Sequence, residues 1–306
     1  MNYIGIDTSN YTTSIAFFDG DGGVNQSRLL PVKQGELGLR QSDAVFAHIK
    51  SLPELSGRLF SNLVGPLNGV GVSTRPRAVE GSYMPCFMVG YSHAKMLSDA
   101  AGVPLVEVSH QQGHIAASLW SAGHLELMDE PHLAWHLSGG TTELLLVEPE
   151  GKNVKCTKIG GTTDISAGQL IDRTGQLLGL PFPSGKHLDA LSSLATGKEV
   201  FRVKCDDMRF SFSGVQNKVQ QFHEKVQIPE ETAAYALRCM AGAVFRATEQ
   251  AVKQYPGMRV VFSGGVASNS LLRQTLMPLD AIFCEPRFAT DNAMGVAVLA
   301  HRILEG

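Results

Sequence analysis

The sequence has few of the cysteines that would indicate a disulfide scaffold or a cysteine metal site. Its five cysteines are an odd number in 306 residues, are widely spaced and include no CxxC pair. Cysteines with this distribution are typical of reduced, mostly buried thiols in a cytosolic chain. The pattern therefore argues against a disulfide-stabilised protein and against a zinc site built from cysteines.

Long apolar runs and a strong excess of one charge are also missing. No stretch approaches the roughly 20 apolar residues that a membrane helix needs. The opening MNYIGIDTSN lacks the features of a secretory signal, so we expect a cytoplasmic protein that does not enter the membrane. The formal net charge of −3 is unlike that of a protein that binds nucleic acid unaided. If RNA is the substrate, a local basic patch or a partner subunit must supply phosphate contacts.

What the sequence does contain is an approximate internal repeat at half its length. Residues 3–22 read as an apolar strand, a polar turn (DTSN, residues 7–10), a second strand and a Gly/Asp turn. Residues 133–152 repeat this order around a second polar turn, SGGT at residues 138–141. Small side chains let backbone N–H groups approach a phosphate closely. We therefore predict two hairpins that form a phosphate clamp.

Strand and helix patterns alternate after each predicted hairpin, which indicates mixed α/β sheets covered by helices. The patterns predict a helix that ends at Gly102, a strand over residues 103–109, a long helix from Thr232 to Tyr255 and a helix opened by Ser268 and Asn269. The periodicity breaks over residues 122–132. We therefore predict an N-terminal lobe over residues 1–128 and a C-terminal lobe over residues 129–306.

The segment SHQQGH provides the sharpest local signal. His110 and His114 are four residues apart, so on a helix they share one face and can bind one metal ion. Ser109 is a plausible N-cap, which places both histidines in the first turns of that helix. Spacing alone leaves open that they are ordinary helix histidines. A protease of the HExxH type is excluded because Gln111 cannot act as a general base.

Asp291 is the best third metal ligand in the sequence. It ends a polar loop just before an apolar helix, so the alternative is that it only caps that helix. Two histidines and one aspartate leave coordination positions open for water or a substrate oxygen. Such a site is typical of a catalytic or ligand-bridging ion rather than of a closed structural one.

Two further segments contain residues suited to nucleotide binding, and a third alternates aromatic and small polar residues. The Gly264-Gly265 turn would let a flat adenine or ribose lie against bare backbone, with the Asn269 amide available for hydrogen bonding. Asp172 could accept hydrogen bonds from ribose hydroxyls or could pair with Arg173 or Lys186. The segment FSFSG at residues 210–214 is equally consistent with core packing.

Seven segments in one order along the chain resemble the TsaD family, formerly called O-sialoglycoprotein endopeptidase or glycoprotease. The resemblance extends over residues 3–303. The segments are GIDTS, HQQGH, LSGGTTELL, SAGQLIDRT with LLGLPFPSG, FSFSG, SGGVASN and ATDNAMG.

The resemblance implies an actin-like, sugar-kinase (ASKHA) α/β fold, with two similar lobes and a nucleotide and metal cleft between them. It implies transfer of a threonylcarbamoyl group from threonylcarbamoyl-AMP to the adenosine beside the anticodon of tRNA. It further implies one divalent metal ion, iron or zinc, at His110, His114 and Asp291. The implied partners are tRNA and subunits of the threonylcarbamoylation machinery that are TsaB-like and TsaE-like.

An adenine nucleotide or threonylcarbamoyl-AMP is the implied ligand. No catalytic side chain is assigned, since no general base is evident. The residues expected to bind the ligand, from the local patterns and the resemblance together, are Asp7, Ser9, Leu137, Ser138, Gly139, Gly140, Thr141, Asp172, Gly185, Gly264, Gly265 and Asn269.

The chain differs from the family pattern at several positions. Residues 10–13 read NYTT where the family usually has Cys-Asp-Glu-Thr, Thr141 replaces a histidine, and residues 75–77 read Arg-Pro-Arg instead of Gly-Pro-Gly. These differences keep two alternatives open: a related carbamoyltransferase or ATP-dependent enzyme with a non-tRNA acceptor, and a non-catalytic TsaB-like subunit. The retained metal ligands argue against the second, because a scaffold does not need them.

Overall fold

The computed structural model describes residues 1–31, 39–61, 63 and 65–306. Among the described helices, none has both the length and the apolar character that a bilayer span requires. The strands are β1 Tyr3–Thr8, β2 Thr12–Phe18, β3 Gly23–Leu29, β4 Gly69–Arg75, β5 Leu105–Ser109, β6 His132–Leu137, β7 Thr142–Glu150, β8 Asn153–Thr162, β9 Arg209–Phe210, β10 Val260–Ser263 and β11 Ile282–Phe283. The helices are α1 Gln41–Phe60, α2 Phe87–Ala101, α3 His110–Ser121, α4 Ala167–Leu177, α5 Gly185–Ser192, α6 Ser213–Val226, α7 Pro229–Gln254, α8 Ser270–Leu276, α9 Pro286–Ala289 and α10 Met294–Glu305.

The described chain divides into two compact units. Unit 1 comprises residues 1–130, 148–156 and 290–306, and unit 2 comprises residues 131–147 and 157–289. The units thus group residues 290–306, which include Asp291, with the N-terminal part of the chain. The division into lobes at residue 128 stays a prediction.

Unit 1 contains a five-stranded sheet in the order β3-β2-β1-β4-β5. Strands β1 and β2 form an antiparallel hairpin, whereas β1, β4 and β5 run parallel to one another. All six residues of β1 are buried, as expected for a central strand covered on both faces. The carboxyl ends of β1, β4 and β5 meet at one edge of the sheet, which is where α/β proteins place their ligands.

The second sheet has six strands in the order β11-β10-β6-β7-β8-β9, and its residues outside 148–156 belong to unit 2. Its strands β8-β7-β6-β10-β11 repeat the order of the first sheet. The directions also repeat, since β6 and β7 form an antiparallel hairpin and β6, β10 and β11 are parallel. The internal repeat predicted from the sequence is therefore confirmed as a repeat of topology.

Local signals located most element ends correctly. Helix α2 ends at Ala101, and Gly102 adopts the left-handed conformation with φ of 65°, which favours glycine. Strand β5 begins at Leu105, later than predicted, and α7 begins at Pro229, earlier than predicted. Helix α8 begins after Asn269, whose side chain accepts a hydrogen bond from the Leu272 backbone N–H.

Glycines allow α10 to pack directly on the sheet and on α3 in unit 1. A Cβ atom at Gly5 of β1 would lie 2.4 Å from the Ala293 carbonyl oxygen. A Cβ atom at Gly295 of α10 would lie 1.8 Å from the Gly113 carbonyl oxygen. Larger residues would push α10 away, and this close packing holds the adjoining Asp291 near the start of α3.

Candidate metal centre and phosphate-binding turn

The start of α3 is held by a capping box at the carboxyl end of β5. The Ser109 hydroxyl accepts a hydrogen bond from the Gln112 backbone N–H at 3.2 Å. In return, the Gln112 side-chain oxygen accepts one from the Ser109 backbone N–H at 2.8 Å. This reciprocal pair satisfies two donors at the helix end and confirms Ser109 as the N-cap. It also places His110 and His114 in the first turns of α3.

His110, His114 and Asp291 form a compact cluster in unit 1, with ligand atoms all within 4.8 Å of one another. The two histidine Nε2 atoms are 3.0 Å apart. Asp291 Oδ1 lies 3.2 Å from His114 Nε2 and 3.6 Å from His110 Nε2. Two imidazole nitrogens and one carboxylate suit zinc or iron and leave coordination positions open. The donor set therefore fits a metal ion at these three residues, which the sequence predicts.

Burial and mutual attraction shift the pKa values of His110 and Asp291 in this cluster. Burial opposes the charge on His110, but attraction to Asp7 and hydrogen bonds to Asp7 and Asp291 outweigh it and raise the pKa of His110 to about 10. Burial also opposes ionisation of Asp291, yet its contacts with His110 and His114 lower its pKa well below the ordinary value. A bound cation would replace the proton on His110 as the balancing charge.

Two of the predicted ligand-binding residues, Asp7 and Ser9, lie beside this cluster. Asp7 is fully buried at the end of β1, and its Oδ1 accepts hydrogen bonds from His110 Nδ1 at 2.9 Å and from the Ser73 hydroxyl. The Ser9 hydroxyl donates to Asp291 Oδ2 at 3.2 Å. Sequence reasoning missed Ser73, although it lies near the carboxyl end of β4, which is parallel to β1, and such strand ends meet at one edge.

The turn between β6 and β7 in unit 2 presents free backbone donors. The Ser138 N–H donates to the Thr141 carbonyl at 2.8 Å, and the Thr141 N–H donates to the Ser138 hydroxyl at 3.1 Å. Gly139 and Gly140 are exposed, and in the part of the chain that the structure describes their N–H groups have no hydrogen-bond acceptor. Two adjacent N–H groups of this kind suit an anion. Leu137, by contrast, is buried in the core.

The start of α4 packs directly against the turn at residues 138–141. Ser166 caps α4 and its hydroxyl donates to the Gly139 carbonyl at 2.6 Å. A Cβ atom at Gly168 would lie 2.4 Å from Gly139 Cα. The turn therefore rests directly on the helix end, and only a glycine at position 168 permits that contact.

Asp172 and Gly185 are brought close together in unit 2. Asp172 Oδ1 accepts a hydrogen bond from the Ser184 N–H at 2.8 Å, and Gly185 begins α5 immediately after Ser184. Burial raises the pKa of Asp172, and the Ser184 bond offsets only part of that effect. Arg173 donates instead to Gln216 at 2.6 Å. The alternative pairing of Asp172 with Arg173 or Lys186 is not found within the described residues.

The Gly264-Gly265 turn has a structural requirement of its own. Gly264 has φ of +88°, and a Cβ atom there would lie 2.2 Å from the Leu137 carbonyl oxygen, whereas Gly265 is exposed. Asn269 caps α8 with its oxygen, while its amide nitrogen donates to Asp189 at 2.7 Å. The fold therefore requires Gly264 and uses Asn269 as a helix cap, in addition to any contact with a ligand.

The two phenylalanines and the two serines of the FSFSG segment have different roles. Phe210 and Phe212 are buried in the core of unit 2. The hydroxyls of Ser211 and Ser213 both donate to Asp164. Burial alone would raise the pKa of Asp164, but these bonds lower it to about 2. The segment serves as core and as an anchor for the start of α6.

Two sheets with one shared strand order define the actin-like, sugar-kinase class of α/β proteins, and solved structures agree. The structure resembles full-length HypF in a phosphate- and nucleotide-bound form with a TM-score of 0.63 and 15% identity, covering 100% of this chain and 47% of that one. It resembles component A of (R)-2-hydroxyglutaryl-CoA dehydratase from Acidaminococcus fermentans with a TM-score of 0.55 and 13% identity, covering 100% of both chains. A ROK family glucokinase from Streptomyces griseus has a TM-score of 0.55 and 11% identity, covering 99% of this chain and 100% of that one. Identities this low establish the fold alone.

Sequence comparison places the chain within that class. The profile of the family TsaD, tRNA N6-adenosine threonylcarbamoyltransferase, matches residues 44–298. A tRNA N6-adenosine threonylcarbamoyltransferase from Carboxydothermus hydrogenoformans is 33% identical over 277 residues, covering 83% of this chain and 81% of that protein. One from Streptococcus suis is 32% identical over 242 residues, covering 73% and 69%. The chain belongs to the TsaD family, whose members are transferases.

Proposed function

We propose that this protein transfers a threonylcarbamoyl group from threonylcarbamoyl-AMP to the adenosine beside the anticodon of tRNA. The observation that carries the proposal is the family match over residues 44–298. The retained cluster of His110, His114 and Asp291 supports an active enzyme over a scaffold, since a scaffold gains nothing from three convergent metal ligands.

His110 Nε2, His114 Nε2 and Asp291 Oδ1 would hold a divalent ion, iron or zinc. Such an ion, when bound, supplies Lewis-acid stabilisation of negative charge on phosphate or carbonyl oxygen. The Ser9 hydroxyl, which donates to Asp291 Oδ2, would keep the aspartate oriented with Oδ1 toward the histidines. The two histidines and Asp291 would bind the ion and Ser9 would orient Asp291, and none of them is assigned as a general base.

The backbone N–H groups of Gly139 and Gly140 would bind the phosphate or the developing oxyanion of the donor. Leu137, Ser138 and Thr141 would set the shape of that turn.

Asp172 and Gly185 would contact the ribose. Gly264, Gly265 and Asn269 would contact the base, and Asn269 keeps one amide N–H for this purpose because only the other is needed for Asp189. Because the acceptor amine is a poor nucleophile, orientation of the two substrates would supply most of the rate.

The partners proposed for this reaction are tRNA and subunits that are TsaB-like and TsaE-like. The net charge of −3 is a reason to expect help, because a strongly basic protein surface is what usually binds tRNA phosphates. Such a reaction belongs in the cytoplasm, where its tRNA substrate is.

The test is to incubate the purified protein with threonylcarbamoyl-AMP and unmodified tRNA, with and without the partner subunits, and to measure the modified nucleoside by mass spectrometry. We expect product with the wild type, and at least a hundredfold less (about 3 kcal/mol of transition-state stabilisation) with His110→Ala or Asp291→Asn. His124→Ala, which removes a histidine that pairs with Glu126 near the surface, serves as the control and should retain activity.

The absence of modified tRNA under every one of these conditions would refute the tRNA assignment. Donor turnover with another carbamoyl acceptor would then identify a related carbamoyltransferase. A wild type that binds no metal would favour the partner-subunit alternative.

A further inference from the structure

We propose that Asp7 is a positioning residue of the metal centre, which holds His110 in the orientation and tautomer that direct Nε2 at the ion. This inference rests on the proposed metal site and goes beyond it. Local patterns and the family resemblance place Asp7 among the ligand-binding residues of the first hairpin, whereas the geometry assigns it a contact with a metal ligand.

The side chain of Asp7 is inaccessible to solvent and, in the part of the chain that the structure describes, bonds only to other side chains. The residue has a relative exposure of 0%. Within the described residues its carboxylate has two hydrogen-bond donors, Ser73 and His110, both on Oδ1, and Oδ2 has none. A buried carboxylate needs such compensation to stay in the fold. The His110 bond is therefore a central feature of this residue's environment.

The bond determines which nitrogen of His110 remains for a metal. An ionised carboxylate only accepts hydrogen bonds, so Nδ1 must carry the hydrogen that it donates to Asp7 Oδ1 at 2.9 Å. Neutral His110 then has its lone pair on Nε2. That atom lies 3.0 Å from His114 Nε2 and 3.6 Å from Asp291 Oδ1, where the three ligands converge. A carboxylate behind a metal histidine in this way fixes its ring and makes it a better ligand.

The sheet of unit 1 makes Asp7 a rigid support. Strands β1 and β4 pair in parallel with Ile6 opposite Val72, so the next residues, Asp7 and Ser73, are neighbours at the carboxyl edge. The Ser73 hydroxyl donates to the same oxygen that His110 uses. The pairing of β1 with β4 thus fixes the position of the Asp7 carboxylate. The carboxylate in turn fixes the orientation of the His110 ring through its hydrogen bond to Nδ1.

The test measures metal binding directly. The affinity of Asp7→Asn for Zn²⁺ is determined by competition with a chromophoric chelator, and visible absorption is recorded after loading with Co²⁺. We expect the affinity to fall by about 10- to 100-fold and the Co²⁺ bands per bound ion to shift, because His110 loses its charged partner. Ser73→Ala should lower the affinity less, since it removes one bond and leaves the carboxylate.

Asp19→Asn is the matched control, because Asp19 is an exposed carboxylate of unit 1 that accepts hydrogen bonds from the backbone of its own turn. It should bind Zn²⁺ like the wild type. A folded Asp7→Asn variant with wild-type affinity and unchanged Co²⁺ bands would overturn the inference, even if its thermal stability were lower. In that event the proposed function stands, whereas a wild type that binds neither ion overturns the metal site and the inference together.

Discussion

At the scale of single residues, the glycines of unit 2 divide into two kinds. Gly264 has a positive φ and a backbone oxygen of Leu137 where a Cβ would be. Gly139 and Gly140 have neither constraint, since a Cβ at either position would meet no atom within 4 Å. The fold therefore requires the first glycine, whereas the other two are free to serve a ligand.

This difference predicts a loss of stability for alanine at Gly264 and little change in stability for alanine at Gly140. Gly264→Ala should lower the free energy of unfolding by about 1–3 kcal/mol or more, because it adds backbone strain and a clash with Leu137. The measurement is urea unfolding followed by circular dichroism.

Gly140→Ala should change the free energy of unfolding by less than about 0.5 kcal/mol, yet weaken binding of an adenine nucleotide, because the new methyl group lies on the exposed side of the turn. Equal destabilisation by both substitutions would contradict this distinction.

At the scale of elements, α3 depends on the capping box at its start. Ser109 and Gln112 satisfy each other's backbone N–H groups, and Ser109 has a relative exposure of 0%. The next residue is His110, so fraying of this turn would move a metal ligand directly. The cap therefore connects helix stability with the geometry of the cluster.

Ser109→Ala should lower the free energy of unfolding by about 1 kcal/mol, because one backbone N–H at the helix start loses its acceptor. Chemical unfolding of the metal-free protein provides the measurement. Ser92→Ala is the comparison, since Ser92 is an exposed residue of α2 whose hydroxyl, within the described part of the chain, bonds only Val89 and His93 of the same helix. If the two variants unfold alike, the cap does not contribute as proposed.

At the scale of the whole molecule, the metal cluster joins distant parts of the chain within unit 1. His110 and His114 come from α3 and Asp291 from the segment before α10, while Asp7, which bonds His110, comes from β1. An ion bound by such residues stabilises the folded state, because the unfolded chain has no preformed site. Removal of the metal should therefore lower global stability.

We expect a chelator to lower the melting temperature of the metal-loaded wild type. At a free metal concentration of about 100 times Kd, binding contributes about 2.7 kcal/mol, which scanning calorimetry detects readily. Asp291→Asn should show little response to the chelator, because one of its three ligands is impaired. A wild type whose melting temperature does not change with metal or chelator would argue against the site.

The features that could be predicted from the sequence are those set by residues close together along the chain. The two hairpins, the cap at Ser109 and the shared face of His110 and His114 follow from short-range periodicity and were confirmed. Asn269 was expected to bind nucleotide, and the structure adds that it caps α8 and bonds Asp189. Whether it also binds nucleotide stays a prediction, as do the other assigned ligand contacts.

The sequence by itself determined the class and the family, because strand and helix periods, turn chemistry and the order of motifs are all written along the chain. Only the tertiary structure decided that Asp291 meets the two histidines and that Asp7 bonds His110. Those contacts join residues separated by more than a hundred positions. They arise from the parallel pairing of β1 with β4 and from the glycine contact between α3 and α10, which no local pattern encodes.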